Sequence, residues 1–404
     1  MRNLIPRRAR PAARLLGRRG RGDRGAIGVL VGILIGAGVL VGMGAMVVDV
    51  GQLYQNRAEL QNGADAGALA VAQSCAQGTC NPSAAKSYAD ANAKSGIAGV
   101  ELVCGSGSLG ACPASTGKIY DCPAAPAAGT NYVDVHTETE TASGSSLLPP
   151  ALSRTLLGNS SYQGSTVYAC AQAEWAAPAS ATVIGITIPE CEWANVTDNG
   201  TSYAPSSGQS SAFDQKIQLD EEPSTTCSST QEADTTTDLS GNCTVAISAG
   251  LYSGYVGDPR RLGSGPDCSA ALSAAQASHS VVLLPVYNVV DLTGALCGGK
   301  VSEPFMLSCW VAPGSPCYEL VGYAGFVVTG YNYPNVDENS QSADYLNPGN
   351  TCSGGSFCLD GYFTQTIVPL GPTPYSSSRG FPQTVSSVSP GGVNLGASVV
   401  WLTG

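Results

Sequence analysis

Two histidines, fifteen cysteines and thirty acidic residues are the groups in this 404-residue chain that could do chemistry. His136 lies in VDVHTETE, where polar and apolar residues alternate, so it reads as a half-exposed histidine on a strand. His279, in SHSVVLL, stands just before another strand-like run. Neither belongs to an HExxH pair, and the chain has no nucleophile elbow, phosphate loop or dinucleotide fingerprint opening a helix. No catalytic residue and no cofactor site is assigned, and the chain reads as a protein that is not an enzyme. A zinc site would call for CxxC pairs or cysteines mixed with histidines; no CxxC occurs, so no metal ligand is assigned. The acidic runs LDEEP (Asp220, Glu221, Glu222) and NVDENSQSAD (Asp337, Glu338, Asp344) lack EF-hand spacing. They read as solvated acidic loops, with calcium as the alternative.

All fifteen cysteines lie beyond residue 74, in sequence rich in Gly, Ser, Thr and Pro and poor in lysine. That usage points to disulfides in an exported domain. Cys309 with Cys317, and Cys352 with Cys358, are local pairing candidates, as are members of the 104/112/122 group; spacing alone does not fix connectivity. Fifteen is odd, so at least one cysteine is free or joined to another chain.

The elements that would position these groups begin with an apolar run. Residues 26–48 carry no charge and no strongly polar side chain. As one helix they would reach roughly 30 Å, the thickness of a bilayer core. A retained membrane anchor, a cleaved secretion signal and a soluble core helix are the three readings. The run is too long for a signal h-region of about 7–15 residues and passes straight into polar helix, so the retained anchor is preferred. Nine arginines against Asp23 precede it, giving +8 over residues 1–48 and, from a total of −11, −19 over the rest. The positive-inside rule then leaves residues 1–25 as a basic cytoplasmic tail and places the C-terminal side outside the cell. Position against the span explains the arginines by contact with lipid headgroups, and the acidic remainder argues against nucleic acid as a partner. Gly28, Gly32 and Gly36, and again Gly38 and Gly42, recur at four-residue spacing, a pattern that favours association with like or unlike helices. Asp49, Gly51 and Tyr54 would mark the membrane junction.

Residues 49–96 read as a helical stalk, alanine-rich to about Ala76, broken at Asn81-Pro82-Ser83 and resumed in AAKSYADANAKSG. Gly63 and Gly67 weaken the helix but permit close contact with another. Strand character then appears at 132–140, 166–176, 181–193, 243–250, 280–290, 318–333 and 358–370. Long loops fill 104–130, 197–242 and 334–357, and LLPPALSRTLLG (147–158) reads as a short helical piece. The predicted architecture is α+β: a transmembrane helix continuing as a stalk, then an irregular, mainly β exported domain over 97–404 with disulfides.

Three stretches carry a family resemblance: Asp23-Arg24-Gly25-Ala26, Val48-Asp49-Val50-Gly51-Gln52-Leu53-Tyr54, and Arg57-Ala58-Glu59-Leu60-Gln61-Asn62-Gly63-Ala64-Asp65-Ala66-Gly67-Ala68-Leu69-Ala70. In order and spacing they resemble the N-terminal segment of the TadE/TadG-like Flp pilus-assembly proteins, whose pattern has alanine where this chain has Gly63 and Gly67. The likeness covers about residues 23–73; PVYNVV, YELVGYAGFVVTGYN and CLDGYFTQTIV resemble the exported part of actinobacterial members. The resemblance implies a non-enzymatic accessory component of the tight-adherence (Flp-type) pilus assembly and secretion system, anchored by one span, with other components of that system as partners. Processed prepilins carry a glutamate five residues beyond the cleaved glycine. After Gly25 that place is Leu30, which implies an uncleaved component rather than a pilin. A surface binding module or enzyme that merely uses a pilin-like anchor is the alternative, and a convergent polar cluster in the β domain would favour it.

Overall fold

The computed structural model describes residues 24–36, 39–113, 122–127, 130–149, 163–205, 212–219, 232–235, 244–253, 269–291, 317–332, 341–343, 358–369 and 392–403. By internal contacts the chain divides into a unit of Met1–Gln55 with Pro149–Ser165, and a larger one of Asn56–Leu148 with Thr166–Gly404.

The apolar N-terminal run corrects the sequence reading. It is distributed over two helices, α1 (Arg24–Gly36) and α2 (Val39–Ala76). At 1.5 Å per residue, α1 is only about 20 Å long. The apolar start of α2 ends at Asp49 after ten residues, and Gln52 and Gln55 follow. Neither offers the ~20 consecutive apolar residues that a bilayer requires. Among the described residues no helix is long and apolar enough to cross a membrane. The anchored fold, the single-pass topology with an extracellular C-terminal domain and the anchored form of the function therefore lose the helix on which they rested. Ile27, Val29, Leu30 and Ile33 of α1 and Met43, Met46, Val47 and Val50 of α2 are all exposed.

In the larger unit, the second half of α2 is part of a sheet's core. Leu60, Ala64, Ala68, Val71, Ala72 and Ala76 recur at three- and four-residue intervals and are all buried. The helix ends where the Cys75–Cys80 disulfide closes its last turn onto the following chain. Pro82 starts the next turn, and α3 (Ala84–Asn92) runs back along α2 with Ala85 and Ala89 buried. Gly63 and Gly67 make this approach possible: a Cβ at 63 would stand 3.0 Å from the Cα of Ala89, and one at 67 would stand 3.2 Å from that of Ala85. Asp90 then fixes the turn into the first strand, accepting bonds from the Ala98 backbone N–H at 2.9 Å and Lys86 Nζ at 2.7 Å.

The first sheet has the order β1 (Ala98–Gly105), β2 (Asn131–Thr139), β3 (Tyr168–Ala176), β15 (Ala397–Leu402), β14 (Thr366–Ile367). Only its last pairing, β14 with β15, is parallel. The predicted strands at 132–140 and 166–176 are β2 and β3, whereas β1 and β15 went unassigned. Val133, Val135, Ala171, Ala173 and Trp175 point from it into α2.

The second sheet is mixed and has eight strands. Its members are β5 (Ile186–Pro189), β6 (Gln215–Leu219), β7 (Glu232–Thr235), β9 (Gly250–Ser253), β10 (Val281–Asp291), β11 (Cys317–Asn332), β12 (Gln341–Ala343) and β13 (Cys358–Thr364). Pairings run β10–β5–β7–β6–β13–β11 and return to β10, so these strands close a small ring. Closure leaves no edge among them. Its filling comes from alternate residues: Val282, Leu284 and Val286, Phe326 and Val328, Leu359 and Phe363, with Ile186, Ile188 and Ile217. Phe326 meets Phe363 edge-on with ring centroids 5.0 Å apart. The other faces of β10 and β11 present Leu283, Tyr287, Leu320 and Tyr323 to β15 and to a two-stranded ladder, β4 (Ser180–Ile184) with β8 (Thr244–Ser248).

Two helices accompany this sheet: α4 (Glu190–Thr197) and α5 (Ser269–Ser278). The single strand predicted over 181–193 is instead two, β4 and β5, in different sheets, and it ends at Pro189, where Glu190 and Glu192 open a helix in the place that suits acids. Short strands β6 and β7 lie inside the span predicted as a loop over 197–242, and β12 inside 334–357. The predicted helical piece 147–158 falls outside the described residues from 150 onward.

Candidate functional site

Alternation along β2 sends Val133 and Val135 toward α2, and Asp134 and His136 to the opposite face of the first sheet. Register supplies their neighbours. Cys104 of β1 stands opposite Asp134, Gln172 of β3 opposite Asp134, and Cys170 of β3 opposite His136. A polar, sulfur-bearing patch results. Two disulfides, Cys104–Cys112 and Cys122–Cys170, each place one sulfur in this patch.

His136 is only 6% exposed, so it is buried rather than half-exposed as its strand pattern predicts. Its ring lies beside sulfur: Cys122 Sγ is 3.7 Å from Nε2 and 3.8 Å from Nδ1. Gln172 Nε2 donates to Asp134 Oδ1 at 2.9 Å and reaches the Ala124 carbonyl at 3.4 Å. Burial pushes the Asp134 carboxyl above its usual range, and the bond from Gln172 opposes that only in part. Potential ligand atoms of Cys122, His136 and Cys170 lie within 4.8 Å of one another, as do those of Cys104, Asp134 and His136. Bonded as disulfides these sulfurs are poor ligands, because metals take the thiolate. Sequence spacing could not reveal this cluster: its members are drawn from β1, β2, β3 and the 122–127 segment.

The remaining assigned residues do not converge on it. Gly28, Gly32 and Gly36 lie on α1 and Gly42 on α2, and a Cβ at any of them would meet nothing within 4 Å. Gly38 is outside the described residues. Asp49, Gly51 and Tyr54 lie within α2, with Tyr54 exposed. Cys358 is buried and disulfide-bonded, and Cys191 is bonded too. Cys317 begins β11; Cys309 and Cys352, with the acidic runs at 220–222 and 337–344, fall outside the described side chains. His279 follows α5 in the left-handed region at φ 48°, a backbone position at a helix end.

Cavities among the described residues of the larger unit include two more. One, of about 230 Å³, is lined by Asn56, Glu59, Ile97 and Glu140 among others. The other, of about 520 Å³, lies between Gln77–Thr79 and Tyr203, Ala204 and Gln365. Tyr203 there has its hydroxyl pushed up to about 12 by burial, against the bond with Trp193, so it stays protonated at neutral pH.

Residues 25–74 match the model of a family described as putative Flp pilus-assembly TadE/G-like. The match takes in α1 and nearly all of α2, and it leaves both sheets outside. No curated protein and no solved structure matches the chain. The likeness is therefore partial, and it concerns the helical segment.

Proposed function

We propose that this chain is a non-enzymatic accessory protein in the assembly of Flp-type pili, acting through contacts with other components of that apparatus. The observation that carries the reading is the position of the matched segment. Residues 25–74 supply one wall of the first sheet's core through Leu60, Ala64, Ala68 and Val71, and upstream they leave Met43, Met46, Val47 and Val50 uncovered. A helical segment that is apolar on its exposed surface is suited to receive a partner helix. Gly28, Gly32, Gly36, Gly38 and Gly42 would let that partner approach closely, and Asp49, Gly51 and Tyr54 would mark where the contact gives way to polar surface. The basic segment 1–25 and the disulfide-bonded region 97–404 would flank this helical part.

Deletion of the gene, followed by imaging of pili and an adherence assay, tests the reading. Loss of pili restored by the wild-type gene is expected, with weaker restoration by a Met46→Asp, Val50→Asp variant that folds normally. Normal pili and adherence in the deletion strain would sink it.

A further inference from the structure

We propose that the larger cavity, of about 520 Å³, is a binding site for an uncharged saccharide, held by side-chain amides and hydroxyls and by the ring of Tyr203. The inference is independent of the assembly reading, since no residue lining the cavity belongs to the segment 25–74.

Three stretches far apart in the chain build the site. Gln77 and Thr79 follow α2, Gly200, Thr201 and Tyr203 follow α4, and Gln365 stands between β13 and β14. Each stretch is fixed by its own bonds. The Cys75–Cys80 disulfide closes the first. In the second, the Thr201 and Ser202 backbone N–H groups donate to the Thr197 carbonyl at 3.0 and 2.7 Å, and that of Ala204 donates to the Phe363 carbonyl at 3.0 Å. Beside Gln365, the Thr366 N–H donates to the Gly396 carbonyl at 2.8 Å. Walls already set in this way leave little ordering to be done when a ligand enters.

The volume lies within the ~300–1,000 Å³ of small-molecule pockets, and the chemistry of the lining selects the ligand. No Asp, Glu, Lys, Arg or His is part of it. A phosphate or carboxylate calls for arginine, lysine or a helix N-terminus. Here two helices, α2 and α4, end next to the cavity, and their C-terminal carbonyls disfavour an anion. A metal cation calls for carboxylates, which the lining lacks. What it offers is neutral. Gln77 and Gln365 each carry an amide with two donors and an acceptor, and among the described residues no hydrogen bond engages either side chain. Thr201 Oγ1 donates to Asp198, at 2.8 Å from its carbonyl, which leaves the threonine lone pairs for a ligand hydroxyl. Sugar hydroxyls are donors and acceptors at once and suit such partners. Tyr203 adds the apolar element. Its ring is backed by Gly396, where a Cβ would stand 3.0 Å from Cε1, and the C–H face of a pyranose can lie against an aromatic ring.

The test uses the full chain with maltotriose, mannotriose and the N-acetylglucosamine trimer as neutral probes. The glucosamine trimer, with ammonium groups in place of acetamides, and sialyllactose, with a carboxylate, are the charged ones. Saturation-transfer NMR detects contact, and titration calorimetry gives the affinity. Expected is binding of at least one neutral probe at millimolar concentration, with both charged probes at least about tenfold weaker. Gln77→Ala and Gln365→Ala should each weaken the neutral probe by about two- to tenfold, the loss of a neutral hydrogen bond. Thr79→Trp, which puts bulk at the cavity, should abolish binding, whereas Tyr88→Ala, an exposed aromatic on α3, should leave it unchanged. Circular dichroism checks that each variant is folded. The comparison of neutral with charged probes needs no variant. Failure of all three neutral probes to bind overturns the proposal, as does a charged probe bound as tightly as the best neutral one. Wild-type affinity in the folded Gln77→Ala, Gln365→Ala double variant overturns it as well.

Discussion

Replacing Gly63 by alanine should destabilise this protein, although alanine is the better helix former. In a helix interior the exchange is worth about 1 kcal/mol in favour of alanine. At Gly63 the new methyl would lie 3.0 Å from the Cα of Ala89 and 3.4 Å from its carbonyl oxygen. Carbon pairs attract best at about 3.5–4.0 Å, so the contact is roughly half an ångström or more too short. Its partner is backbone rather than the tip of a flexible side chain, and Ala89 is buried, so α3 as a whole must shift. Overpacking of this kind costs about 1–3 kcal/mol, which leaves a net loss of up to about 2 kcal/mol. Gly67→Ala, with 3.2 Å to the Cα of Ala85, should lose somewhat less. One displacement of α3 relieves both contacts, so the double variant should fall short of the sum of the singles. Gly51→Ala in the same helix meets nothing within 4 Å and should be neutral or stabilising by up to about 1 kcal/mol. Urea denaturation followed by circular dichroism and tryptophan fluorescence measures all four variants. Stabilisation by Gly63→Ala equal to that by Gly51→Ala would falsify the close packing of α3 on α2.

Three further outcomes are expected. Burial would raise the Asp90 carboxyl, but the bonds from Lys86 and the Ala98 N–H win and hold it below its usual range. Its stabilisation is thus present above the ordinary carboxylate pKa and fades as pH falls through the depressed folded value; Asp90→Asn should flatten that acid-side slope in denaturation midpoints measured against pH. Tyr323 donates from its buried hydroxyl to the Ile247 carbonyl at 2.8 Å, so Tyr323→Phe should cost about 1 kcal/mol by losing that bond, and an unchanged urea midpoint would refute it. A Cβ at Gly361 would run into the Val327 carbonyl and stand 2.5 Å from the Phe326 ring, so Gly361→Ala should lower the midpoint sharply while Gly51→Ala does not; equal midpoints would place β13 elsewhere.

Local pattern in the sequence was enough to locate most of the elements. The alanine-rich run to Ala76 is helical because good helix formers continue without a proline until Asn81-Pro82, and the β-branched and aromatic runs at 132–140, 280–290 and 318–333 are strands. Short strands such as β7 and β12 carry too little local signal; ring closure and a neighbouring edge make them strands. Apolar composition alone made residues 26–48 look like one membrane span, whereas among the described residues the run is shared between α1 and α2, neither of them long and apolar enough to cross a membrane.

By itself, the sequence determined the helix that resembles the Tad segment, the rich supply of cysteines and the pattern of strands, because each depends on residues close together in the chain. Only the tertiary structure decided what meets what. The register of β1, β2 and β3 sets Cys104, Asp134, His136, Cys170 and Gln172 on one face, and a one-residue slip would turn those side chains toward α2. The approach of α3 likewise turned Gly63 and Gly67 from weak points of a helix into the places where two helices touch. Both outcomes rest on residues brought together across tens of positions, which no spacing along a single chain can record.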